Sequence, residues 1–123
     1  MTPAAAEAWR RRDALRELSA SDRWIAQRLI RRGYKISNPQ GTTVWLWLPL
    51  DGASYNPCDL FIGVGGTAYL YNEASFRTRD AAHVHVKAVL NLRRKDWSEL
   101  EAFEATYRAC HRALPPTMED RCV

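Results

Sequence analysis

A chain of 123 residues with 46% hydrophobic and 26% charged side chains can bury one core, so one domain over residues 1–114 with a flexible tail over 115–123 is expected. No apolar run approaches the ~18–20 residues of a membrane span, the N-terminal residues lack the basic-then-apolar order of a secretory leader, and three cysteines (Cys58, Cys110, Cys122) without metal-ligand spacing fit a reducing, cytoplasmic setting. The net charge of +4 is uneven: residues 1–35 hold nine Lys and Arg against four acids, residues 36–76 hold three acids and no base, and residues 77–123 hold nine bases against seven acids.

An acidic partner is therefore expected to meet the N-terminal segment first. Residues 4–18 read as a helix entered at Pro3, where the missing N–H costs little. Ser21 is placed to cap a second helix over 22–32, ended by Gly33. At 3.6 residues per turn, Ile25, Ala26, Leu29 and Ile30 share one side of it, and Trp24, Arg28, Arg31 and Arg32 share the other. Guanidinium groups fork onto phosphates and stack on bases. Together with Lys35, and with Arg10, Arg11 and Arg12 ahead of it, this basic helix is the expected nucleic-acid contact. The plainer alternative has Trp24 packed on the first helix and the arginines merely solvated.

Residues 34–37 read as a short strand and 38–41 as a turn. Residues 44–50 form a strong strand ending near Pro49, and 51–58 a loop. Strands over 59–64 and 67–71 are expected to join through Gly65-Gly66 as a hairpin, followed by a polar connection over 74–82. In the next strand, 83–93, Val84, Val86, Ala88, Leu90 and Leu92 fall on one face. His83, His85, Lys87, Asn91 and Arg93 fall on the other, with Val89 the apolar exception. Ser98 and Glu101 have capping-box spacing for a last helix. Its stripe is Leu100, Phe103, Tyr107, Cys110 and Leu114, with Glu104 and Arg108 pairing on the wet side and Pro115-Pro116 ending it. The order α(α)βββββα gives an α+β fold: a mostly antiparallel sheet of four or five strands with two N-terminal helices and one C-terminal helix.

The sheet offers a second candidate surface. Trp45, Trp47, Phe61, Tyr69 and Tyr71 lie opposite the aliphatic side chains of their strands. With His83, His85 and Lys87 beside them they make an aromatic and basic platform. Such a platform stacks unpaired bases; covered instead, the same face docks a protein partner or a second copy in a homodimer.

The stretch 57–73, Pro-Cys-Asp59 through to Asn-Glu73, loosely resembles the PD-(D/E)xK nucleases. The resemblance implies that Asp59 and Glu73, on the two arms of a hairpin, hold a divalent metal for phosphodiester hydrolysis. Ser75 stands where that family has its lysine, and the strand over 83–93 departs from the family's order. His83 and His85 are spaced about 6–7 Å along one strand face, which suits a shared metal, but zinc needs three or four ligands and no third is fixed. Cys58 has no basic neighbour over 36–76 to activate it as a nucleophile. The expectation is thus a small binding module without cofactor, catalytic set, metal or membrane contact. Nucleic acid is its first partner class, a protein interaction or dimer the second, and metal-dependent nuclease chemistry the third.

Overall fold

The computed structural model describes residues 15–37, 43–50, 58–65, 72–78, 85–94 and 96–112, together with residues 2, 3, 5 and 13. Two helices and five strands are placed among them: α1 (Ala20–Arg31), β1 (Lys35–Ile36), β2 (Thr43–Leu48), β3 (Leu60–Gly65), β4 (Asn72–Arg77), β5 (His85–Leu90) and α2 (Ser98–Arg112). The fold is α+β. Of the two N-terminal helices expected, α1 is the second; the first, 4–18, lies largely outside the described residues, as do the tail and the strand expected over 67–71.

The start of α1 is set by Ser19 rather than Ser21. The Ser19 hydroxyl accepts the Asp22 N–H at 3.2 Å, and Asp22 in the first turn suits the positive end of the helix. The helix stops where Gly33 adopts φ 105. There the Gly33 N–H bonds Ile30 O and the Tyr34 N–H bonds Leu29 O, the paired closure that a left-handed glycine permits. Ile25, Ala26 and Leu29 are buried, as the periodicity requires.

The five strands form one sheet in the order β1-β2-β3-β4-β5, antiparallel at every junction. A correction concerns residues 74–77, expected as part of a polar connection over 74–82; they belong to β4. They form a strand because Ala74 and Phe76 alternate inward while Glu73, Ser75 and Arg77 alternate outward. Small and polar residues hid this period of two. The register Phe61↔Ser75 and Ile62↔Ala74 also rules out a two-residue hairpin at Gly65-Gly66. β5 is shorter than the expected 83–93.

The core lies between one sheet face and the helices. Val44, Leu46, Leu48, Leu60, Ile62, Val64, Ala74, Phe76 and Leu90 from the strands meet Ile25, Leu29, Leu100 and Tyr107. α1 packs on β2 and β3, and α2 contacts β5. At the start of α2 the cap is Asp96, whose carboxylate accepts the Ser98 N–H at 2.9 Å; Ser98 itself is already helical. That hydrogen bond holds the Asp96 carboxyl below its usual range.

Glu104 is the second correction. It lies four residues after Leu100 and three before Tyr107, which puts it on the buried stripe rather than on the wet side with Arg108. Only 7% exposed, it binds Arg32 through one oxygen and accepts the Tyr34 hydroxyl at 2.8 Å through the other. Burial, and then the Glu104 charge, push the Tyr34 phenol far above its ordinary value, so it stays a donor. Replacing Glu104 by Ala strands a buried hydroxyl and a half-covered guanidinium. The expected loss is about 2–4 kcal/mol, read as a lower denaturant midpoint at unchanged m-value; a midpoint within error of the parent contradicts this role.

Candidate functional site

The five residues expected to contact nucleic acid from α1 and its exit do not share one open surface. Trp24, 37% exposed, packs edge-on against Trp97 with ring centroids 6.0 Å apart. The Arg28 guanidinium sits 5.3 Å from the Trp24 ring centroid and 4.6 Å from that of Trp97, so its cation–π contacts are internal. The Trp97 indole N–H is buried without an acceptor among the described residues, a cost that this aromatic and cationic packing must outweigh. Arg32 is bound to Glu104. Lys35 lies 6.0 Å from the Trp47 ring, on the sheet rather than on the helix. Arg31 is exposed and reaches only Gln27 O of its own helix, at 3.4 Å.

Neighbouring cations are engaged in the same way. Arg23 donates to the carbonyls of Leu15, Arg16 and Leu18 at 3.1–3.2 Å, closing the turn ahead of α1. Arg93 meets the buried Asp22 at 3.3 Å and ties the segment after β5 to the first turn of α1. Much of the positive charge legible in the N-terminal third is thus spent holding helices and loops together.

The sheet face turned away from α1 and α2 is different. The registers place Lys35, Trp47, Phe61, Ser75 and Lys87 in a single row across all five strands. Trp47 is buried on this face at 6% exposure, while Trp45 and Phe61 are half-buried. The Trp45 indole lies across Gly63, its cross-strand partner: a Cβ built on Gly63 would stand 3.0–3.3 Å from three ring atoms. Absence of a side chain at Gly63 is what lets the indole lie down on the sheet. Lys87 bridges to Glu73 at 2.6 Å in the open, where such a pair contributes little. Of the remaining sheet-face residues expected, His85 is exposed at the start of β5; Tyr69, Tyr71 and His83 lie outside the described residues.

A shallow cleft of about 230 Å³ opens here, lined by Trp45, Asp59, Phe61, Ser75, Arg77 and His85 among others. Arg77 and His85 are direct cross-strand partners, and Arg77 Nε donates to His85 Nε2 at 3.1 Å. Arg77 escaped sequence reading because its strand was taken for a connection; the alternation of residues 72–77 was the signal that places it outward. Asp59, at the mouth of β3, is buried, and the Tyr107 hydroxyl lies 3.2 Å from its Oδ1 and 2.6 Å from Leu48 O.

Asp59 and Glu73 are not brought together. The β3–β4 register separates their levels by four residues, about 13 Å along the strands, and each has its own protein partner. Among the described residues no group of three His, Cys, Asp or Glu side chains is placed to hold a metal. Cys58 is in a disulfide, which removes it as a nucleophile, and Cys110 is a half-buried thiol. None of the described helices is long and apolar enough to cross a membrane. Compared with known proteins, the chain matches no family model, no curated protein and no solved structure.

Two neighbouring arginines on α1 test this division of labour. Arg28→Ala removes both ring contacts and should lower stability by about 1 kcal/mol. Arg31→Ala should stay within about 0.5 kcal/mol of the parent. Equal effects in urea melts would mean that the Trp24–Arg28–Trp97 stack has no structural weight.

Proposed function

We propose that this protein is a small binding module that holds an unpaired nucleic-acid strand on its open sheet face. The observation that carries this reading is the cleft lined by Trp45, Arg77 and His85 together. An indole lying along a sheet offers a surface for a base, and a guanidinium within the same cleft suits the phosphate next to it. Lys35, at one end of the row across the sheet, extends the positive charge along the path of a strand, while Lys87 at the other end is paired with Glu73. The exposed Arg31 and the basic N-terminal segment add long-range attraction rather than a docking surface.

A second reading has one observation in its favour. Val89, 61% exposed, stands on β5, the last strand of the sheet order. An apolar side chain at that position fits a protein partner or a second copy adding to the sheet. A cytoplasmic setting, read from the odd cysteine count, meets one opposing feature, the disulfide at Cys58, since reducing compartments seldom keep such bonds.

Fluorescence anisotropy with labelled oligo(dT), duplex DNA and RNA separates the two readings. Single strands should bind best. For three phosphate contacts the affinity should fall about ten- to twentyfold between 50 and 200 mM salt. Trp45→Ala should weaken single-strand binding about tenfold or more. Oligo(dT) affinity unchanged in Trp45→Ala overturns the sheet face as the binding surface, and no binding together with a doubled mass by light scattering overturns the nucleic-acid reading and favours the second.

A further inference from the structure

We infer that Arg77 and His85 together form a phosphate subsite that tightens when His85 takes up a proton. The inference rests on the strand-binding reading and gives it a subsite and a regulator. Its basis is the cross-strand hydrogen bond from Arg77 Nε to His85 Nε2. To accept that hydrogen, Nε2 carries none; the neutral ring therefore keeps its proton on Nδ1. The guanidinium uses one of its five N–H groups in this bond, and no other partner of Arg77 is found among the described residues.

Protonation changes the pair in kind. Both ring nitrogens become donors, so Nε2 can no longer accept from Arg77. Two cations then face each other across adjacent strands. An anion lodged between them turns that repulsion into two charge-assisted contacts. Among the described residues, the other charged groups near His85 lie on three elements. Asp59, at the mouth of β3, lines the same cleft, with the Tyr107 hydroxyl close to its carboxylate. On β5 itself Lys87 is two residues on, and its charge is offset by Glu73 of β4. Proton and phosphate therefore bind with positive coupling, and each must raise the affinity for the other by the same factor.

The ligand chemistry is a phosphodiester whose adjoining base rests on Trp45. A diester keeps one negative charge throughout the histidine range. A terminal phosphate gains charge between pH 5 and 7 and would blur the effect. Sulfate shares the constant charge and serves as a small probe.

Two measurements test the inference on the full chain. The first follows the three histidine rings by NMR as pH is varied, with and without sulfate, assigning His85 through His85→Gln. Sulfate should raise the His85 midpoint and leave His83 and His111 nearly unmoved, and Arg77→Gln should abolish the rise. An equal shift of all three rings means an adventitious ion only and overturns the subsite. The second compares oligo(dT) affinity at pH 8 and pH 5.5. The parent should gain about five- to tenfold on acidification, within the usual range for coupled sites, and His85→Gln should lose most of that gain. If oligo(dT) binds but the gain persists in both His85→Gln and Arg77→Gln, the subsite is wrong and strand binding stands. If sulfate moves His85 alone while oligo(dT) fails to bind, the subsite stands and the strand reading falls.

Discussion

A buried carboxylate fixes how the elements of this protein meet. Glu104 on α2 holds Arg32 from the end of α1 and Tyr34 from the entry to β1. Both its oxygens are used, which is the condition for keeping a charge out of water without large cost. One turn further along α2, the Tyr107 hydroxyl reaches the Leu48 carbonyl at the end of β2. α2 is thereby bolted to α1 and to the sheet at two successive points of a single stripe. The described helices are committed to one face, which leaves the opposite face as the surface proposed to bind.

The same economy explains the charge distribution. Arginines on and around α1 look, in sequence, like a surface waiting for phosphate. Arg28 fills an aromatic corner, Arg32 neutralises a buried acid, Arg23 closes a helical turn, and Arg93 reaches back to Asp22. Each is engaged within the protein, Arg32 and Arg93 by buried acids that would otherwise be penalised. On the far sheet face the partner of Arg77 found among the described residues is a histidine, an acceptor that does not cancel its charge. A cation beside half-buried aromatic rings, with no carboxylate bound to it among the described residues, is a better pointer to an anionic ligand than a count of basic residues.

Much of the fold was legible because it rests on local chemistry. Gly33 stops α1, alternation in 44–48 and 60–64 gives two strands, and Leu100 with Tyr107 marks the buried side of α2. That order led to the expectation of a mostly antiparallel sheet of four or five strands, and the sheet is antiparallel at every junction. What escaped depends on long-range pairing. Residues 72–77 form a strand because Phe61 and Ile62 offer partners for Ser75 and Ala74, and their own composition argued for a loop. Ser19 and Asp96 outcompeted Ser21 and Ser98 as caps because they lie one and two residues before the chain turns helical, whereas Ser21 and Ser98 are already inside. Glu104 looked solvated beside Arg108, since nothing local reveals that Arg32 and Tyr34 wait across the interface. For the candidate site, the outward direction of Trp45, His85 and Lys87 was readable from alternation alone, whereas Arg77 became visible only once its strand was placed.

The account turns on which of two faces meets the ligand. The most direct measurement is a two-dimensional NMR titration of the labelled protein with oligo(dT), recording the backbone amides together with the tryptophan and histidine side chains. The account predicts the largest shift changes at Trp45, Ser75, Arg77, His85 and Lys87, with α1 nearly silent. Changes concentrated at Trp24, Arg28, Arg31 and Arg32 would contradict it and return the binding surface to the basic helix.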